Sequence, residues 1–197
     1  MGPGTHPVHG LCMAVDVHYL RPGGARAAAV VAADATFARV LAERVAVVPE
    51  VAPYSPGEFY RRELPPLRAV AGGIAGLGLL MVDGYADLDP DGRPGLGAHA
   101  HAEFGTPVIG VAKTGFRTAT HAIPVLRGTS ARPVLVTAAG MRRADAAELV
   151  RLMAGRFRLP DALRRADQLA RTGLSAALQP SHLPGLIHAR NASGADG

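Results

Sequence analysis

The sequence predicts a single α/β domain in which a mixed central sheet is flanked by helices. Three observations carry this. Three apolar runs with turn or polar residues between them open the chain, and afterwards strand-like runs alternate with segments of helical spacing. The 197 residues, 48% of them apolar, can bury one substantial core but are too few for two full-sized domains.

Residues 11–20 read as a buried strand interrupted by one carboxylate, Asp16, and Arg21-Pro-Gly-Gly24 as a turn. Residues 27–33 and 44–51 complete a set of three consecutive strands, expected to be antiparallel. Pro53-Tyr-Ser-Pro-Gly57 is a loop leading into a helix over 58–74, which Pro65-Pro66 should bend or restart. Residues 77–82 form a strand ending on Asp83-Gly84; a loop rich in Asp, Gly and Pro follows, then a short helix over 95–104 and a strand over 107–112.

Residues 121–126 and 133–137 are a further strand pair around a turn at 127–132. Apolar residues at 146, 149, 150 and 153 give helical spacing to 142–154, and a last helix spans 159–174 with Pro160 in its first turn. These elements make one domain, residues 1–174. Residues 175–197, rich in Pro, Ser, His, Gly and Asn, are expected to be a flexible tail.

Charge and composition narrow the function classes. With 19% charged residues and a large apolar fraction, the chain is neither disordered nor collagen-like despite 24 Gly and 16 Pro. The net charge is +5, and residues 127–171 hold ten basic side chains against four acidic ones. That asymmetry suggests a polyanion partner. Twenty of the 21 basic residues are arginine, so the single lysine, Lys113, is expected to mark a place where chemistry favours a compact ammonium. One cysteine, Cys12, excludes an internal disulfide and suits a reducing compartment. The 14-residue uncharged run at 69–82 is short and broken by glycines, so no membrane association is expected. No basic segment precedes the first apolar stretch, which predicts a cytoplasmic protein.

Four residues stand out chemically. Asp16 lies within an apolar strand, where a carboxylate is paired, ligates a metal, or reaches solvent at the strand end. Asp83 ends a buried strand, the place where open α/β sheets gather ligands, although Asp-Gly is also an ordinary turn. Glu63 reads as a helix carboxylate, solvated or functional, and Lys113 as a surface cap or a functional ammonium. Carboxylates and a lysine at strand ends are what metal-assisted phosphodiester cleavage requires. Carboxylate oxygens hold a hard Mg²⁺ or Mn²⁺, and an ammonium stabilises developing negative charge. His18 shares Asp16's face by alternation.

Pro53-Tyr-Ser-Pro-Gly57, Arg62-Glu63-x-Pro65-Pro66, Val82-Asp83-Gly84, Gly95-Leu96 and Pro107-Val-Ile-Gly-Val-Ala-Lys113 occur in order and at fitting distances. Together they resemble the endonuclease V family, deoxyinosine-directed nucleases with an RNase H-like fold. Leu159-Pro160 through Arg164-x-Ala166-Asp167 resembles that family's C-terminal segment. The resemblance implies that Asp16 and Asp83 ligate the catalytic Mg²⁺, with Mn²⁺ as an alternative, and that Glu63 completes the acidic cluster. It implies that Lys113 contacts the phosphate or the leaving oxygen, and that Asp167 is the last acidic site residue. Tyr54 would be the wedge that fills the gap left by a flipped base. Gly57, Phe59, Gly84, Gly95, Gly110 and Ala112 lie where the family builds its base pocket, largely from backbone. The implied partner is DNA containing deoxyinosine or another lesion, with RNA as a further candidate, acted on by a monomer.

The chain departs from the family pattern. Tyr85-Ala86 stands where His-Gly is usual, placing a methyl group near the expected pocket. Ala139-Gly140-Met141 replaces Pro-Gly-His, and Ala162-Leu163 replaces Pro-Thr. The family's N-terminal helical segment is expected to be missing or curtailed. Two alternatives follow: a nucleic-acid-binding module that no longer cuts, and a nuclease shifted to RNA or branched DNA.

Overall fold

The first three strands form a meander because short connections, residues 20–24 and 33–39, join neighbouring antiparallel strands. The computed structural model describes residues 8–55 and 57–173. The meander comprises β1 (Leu11–Tyr19), β2 (Ala25–Ala32) and β3 (Val40–Val48). There follow α1 (Tyr60–Ala71), β4 (Leu77–Asp83), α2 (Leu96–Phe104), β5 (Val108–Ala112), β6 (Ile123–Val125), β7 (Val134–Ala139), α3 (Arg143–Leu152) and α4 (Asp161–Thr172). The expected tail at 175–197 lies outside the described residues.

All seven strands join one sheet in the order β3-β2-β1-β4-β5-β7-β6. β1, β4 and β5 are mutually parallel in the middle, and the flanking pairings are antiparallel. The central strands are buried on both faces, so they read as continuous apolar runs rather than as alternating ones. Met13, Val15, Leu80, Val82 and Val108 face the side covered by α1 and α2. Cys12, Ala14, Leu79, Met81, Ile109 and Val111 face α3 and α4. α4 fits there because Ala162, Leu163, Ala166, Leu169 and Ala170 recur at helical spacing and form its buried stripe.

Four expectations shift. β3 begins at Val40 rather than at 44, because Val40 pairs with Ala32 across a register irregularity, and it stops before Pro49, which has no N–H to offer the ladder. α1 runs through Pro65 and Pro66 as one element instead of restarting. The prolines deprive only the carbonyls of Arg61 and Arg62 of a helical partner. The strand expected at 121–126 is limited to β6, Ile123–Val125. Pro160 stands one position before the first turn of α4, as its cap.

Candidate active site

The pairing of β1 with β4 places the first two carboxylates. The parallel register runs through Val15 and Val82, and the next residues on the two strands are Asp16 and Asp83. Ala14 and Met81 point toward the α3 and α4 face, so the two-residue period of a strand sends Asp16 and Asp83 to that same face. Neighbouring strands are about 4.8 Å apart, which puts both carboxylates within reach of one cation. On the next strand Val111 is the partner of Asp83, and Lys113 lies two residues beyond it. Its Nζ sits 2.6 Å from Asp83 Oδ2. Asp167 arrives from α4, where it pairs with Arg171 at 2.9 Å and lies close enough to Asp16 to raise its pKa.

Glu63 comes from the opposite side of the sheet, on α1, and is 6% exposed. It is not the solvated helix charge that its position suggests. The Tyr19 hydroxyl donates to Glu63 Oε1, and the Arg62 guanidinium lies 4.1 Å over the Tyr19 ring. Tyr19 has no motif around it; only its place at the end of β1, three residues after Asp16, could have drawn attention to it.

The electrostatics report crowded negative charge. Burial pushes the Asp16 carboxyl up to about 7, with further contributions from the Asp83 charge and from Asp167, while the Val17 N–H acts in the other direction. Burial likewise pushes Glu63 up to about 7 and Asp83 adds to it, against the opposing effects of Tyr19 and Arg62. Burial disfavours the Lys113 charge, but Asp83, Asp16 and Asp167 outweigh it and hold its pKa above the usual lysine value. Among the described residues, no three His, Cys, Asp or Glu side chains converge on a ready-made metal cage. Asp16 and Asp83, with a neighbouring carboxylate disfavoured by burial, still fit a hard cation that takes one or two carboxylates and retains waters.

A family profile described as Endonuclease V matches residues 4–139. That span holds Asp16, Glu63, Asp83 and Lys113 and stops short of Asp167. The chain belongs to the endonuclease V family. It is 37% identical over 186 residues to the endonuclease V of Azotobacter vinelandii, covering 83% of each chain. The crystal structure of Streptomyces avermitilis endonuclease V is similar, with a TM-score of 0.71 and 33% identity over 86% of this chain and 83% of that one. Ciona intestinalis endonuclease V, solved with a 23mer DNA containing an inosine followed by a ribo-adenosine, shares the fold at 19% identity. Its TM-score is 0.68, over 83% of this chain and 84% of that one. The seven-stranded mixed sheet with four helices is thus the RNase H-like fold of endonuclease V.

The remaining motif residues fall into two sets. Tyr54, 67% exposed, and Phe59, 45% exposed, stand on the surface on either side of the turn containing Gly57. Gly84, Gly95 and Gly110 gather around the backbone of residues 84–86. A Cβ on Gly110 would lie 2.7 Å from the Gly84 carbonyl oxygen and 2.5 Å from the Ala86 nitrogen. A Cβ on Gly95 would lie 2.7 Å from the Tyr85 carbonyl oxygen. Gly110 and Ala112 are buried within β5.

One departure from the endonuclease V pattern, Ala86, is accommodated in the core. Ala86 is fully buried, its N–H donates to Thr137 Oγ1 at 2.7 Å, and its methyl packs on Gly97, where an added Cβ would come within 2.8 Å of it. The methyl therefore fills core space at the start of α2. Tyr85 ties two segments together instead, its hydroxyl donating to the Thr114 carbonyl at 2.8 Å and accepting from the Phe116 N–H at 3.0 Å.

Proposed function

We propose that this chain is a metal-dependent endonuclease that nicks DNA on the 3′ side of a deoxyinosine lesion, in the service of DNA repair. The observation that carries this reading is the convergence of Asp16, Asp83 and Lys113 at the ends of three parallel strands, with Asp167 and Glu63 around them. Its membership of the endonuclease V family and the inosine-containing DNA bound by the Ciona relative support the choice of substrate.

Asp16 and Asp83 would hold Mg²⁺, or Mn²⁺, with Glu63 reaching the cation through water. When bound, the cation supplies Lewis-acid polarisation of the phosphodiester and a more acidic water. Lys113 presents its ammonium to the phosphate or leaving oxygen; its pairing with Asp83 keeps it charged and aimed. Asp167 braces Asp16 from α4. Tyr54 projects from its loop with its ring free to enter a base stack, as a wedge does when a base turns out of the duplex. Unstacking is cheapest at a mispaired base, which favours inosine.

The test is a nicking assay on labelled duplexes carrying deoxyinosine or adenine at one position, with Mg²⁺ and with EDTA. The expected result is a single Mg²⁺-dependent nick near the inosine. No such nick in any metal condition would overturn the reading, and cutting of inosine-containing RNA in preference to DNA would move the substrate class.

A further inference from the structure

A cleft of about 370 Å³ opens beside Lys113, between the 127–132 turn and the 155–159 segment before α4. Its lining includes Lys113, Ser130, Arg156, Phe157, Arg158 and Arg164, and no carboxylate.

The arginines here do two kinds of work. Arg127, 4% exposed, donates to the carbonyls of Met153, Ala154, Gly155 and Phe157. Arg158 donates to the carbonyls of Lys113 and Pro133. These two guanidinium groups are spent on fixing the walls, and Arg158 ties one wall to the backbone of Lys113. They take two of the ten basic side chains of residues 127–171 out of the set free to meet a polyanion. Arg165 is likewise engaged, bidentate with Glu43 at 2.6 and 2.8 Å.

Arg156 and Arg164 are different. Both are exposed; Arg156 forms no ion pair among the described residues, and Arg164 has one surface contact, with Asp161 at 3.3 Å, of a kind worth little. Their guanidinium groups lie 5.2 and 3.9 Å from the centre of the half-exposed Phe157 ring. Cation–π attraction to that ring holds two like charges near each other. An anion with several acceptor oxygens would relieve the repulsion and use the guanidinium donors in pairs.

We propose that this cleft binds a phosphodiester of the substrate strand adjacent to the one at Lys113, gripped by Arg156 and Arg164. The proposal rests on the nuclease reading above for the identity of the polyanion. The cleft would set the path of the strand past the catalytic groups without touching the reacting atoms.

The double variant Arg156→Gln/Arg164→Gln tests it. Binding of a deoxyinosine duplex is followed by fluorescence anisotropy in EDTA across a salt series, so that cleavage plays no part. Each lost phosphate contact should reduce the slope of log K against log salt by about 0.9, so a reduction of about 1 to 2 and a roughly tenfold loss of affinity at low salt are expected. Arg39→Gln, which removes one exposed charge beside the far edge of the sheet, should leave the slope unchanged. In nicking, KM should rise with kcat retained. A methylphosphonate at one phosphate flanking the cut should weaken binding by the parent by a similar factor and cost the double variant nothing further. An unchanged salt slope, or methylphosphonate losses as large in the variant as in the parent at every flanking position, would overturn the proposal. A parent that binds with this slope difference but never nicks would sink the nuclease reading and leave the cleft standing.

Discussion

Asp16 and Asp83 occupy the positions just beyond the last paired residues, Val15 and Val82, of two parallel strands, and both project to the face where Lys113 meets Asp83 at 2.6 Å. A single ammonium thus faces several carboxylates, and the imbalance has consequences for stability and for catalysis.

The first concerns pH. Asp16 is raised from 3.8, and Glu63 from 4.5, to about 7, mainly by burial. A carboxyl whose folded pKa is raised binds its proton more tightly in the folded state, so its contribution to stability is fully present below the unfolded value and is lost as pH rises through about 7. The Tm of the metal-free protein should therefore fall between about pH 5 and pH 8. Mg²⁺ should restore Tm at the upper end and have little effect at the lower end, where protons occupy the same oxygens. Asp16→Asn should raise the metal-free Tm at the upper end while abolishing nicking, the usual trade between a strained site and stability. Thermal unfolding in EDTA and in Mg²⁺ at the two pH values checks all three, and a pH-independent Tm would contradict them.

Lys113→Ala should lower the single-turnover nicking rate by about 10² to 10³, the range for removing one charge-stabilising donor. Lys113→Arg is the sharper test. It keeps the charge, but a planar guanidinium cannot occupy the compact position that Nζ takes against Asp83 Oδ2. The arginine variant should therefore recover little of the loss. Nicking at the parental rate would mean that the one lysine in an arginine-rich chain carries no chemical meaning.

Tyr54 is two-thirds exposed on its loop, so Tyr54→Ala should leave Tm nearly unchanged, as surface substitutions usually do. Base stacking on an aromatic ring is worth about 1–3 kcal/mol, so selectivity for inosine over adenine should fall by roughly tenfold. Parallel kcat/KM measurements on the two duplexes decide it; unaltered selectivity would leave Tyr54 as an ordinary loop residue.

The catalytic candidates were legible where the strand pattern constrained them. Asp16 and Asp83 each interrupt or end an apolar run, and a strand's two-residue period fixes their faces once the strands are paired. Glu63 was less so. Its helix carries Pro65-Pro66, and the hydroxyl that meets the buried carboxylate belongs to Tyr19, 44 residues earlier in the chain on another element. The engagement of Arg127 and Arg158 leaves no signal in the sequence, because irregular segments have no periodicity from which burial can be read. Their partners are backbone carbonyls, which carry no side-chain signature in a sequence. β3 slipped by four residues at its start because pairing with β2 continues across a register irregularity that composition does not mark.

Tyr19 supplies a fourth expectation. Its hydroxyl bond opposes the burial that raises Glu63, so Tyr19→Phe removes a donor and should move the Glu63 pKa further up. If deprotonated Glu63 is needed for nicking, the rising limb of the pH–rate profile shifts to higher pH while the rate well above it changes less. A profile that falls uniformly at every pH would assign Tyr19 a packing role only.

Ala86 decides whether the departure from His-Gly after Asp83-Gly84 alters the substrate. Its methyl lies in the core against Gly97, and its N–H is bound to Thr137. Ala86→Gly therefore deletes a buried methyl and adds backbone freedom to the unfolded chain, a loss of about 1–2 kcal/mol. At roughly 2–4 °C per kcal/mol for a chain of this size, Tm should drop by several degrees. Selectivity for inosine should not change, because the methyl is fully buried against Gly97 and has no exposed surface to offer a base. Thermal unfolding and the inosine-to-adenine kcat/KM ratio measured on one preparation separate the two roles. A gain in selectivity at constant Tm would place the methyl at the base after all.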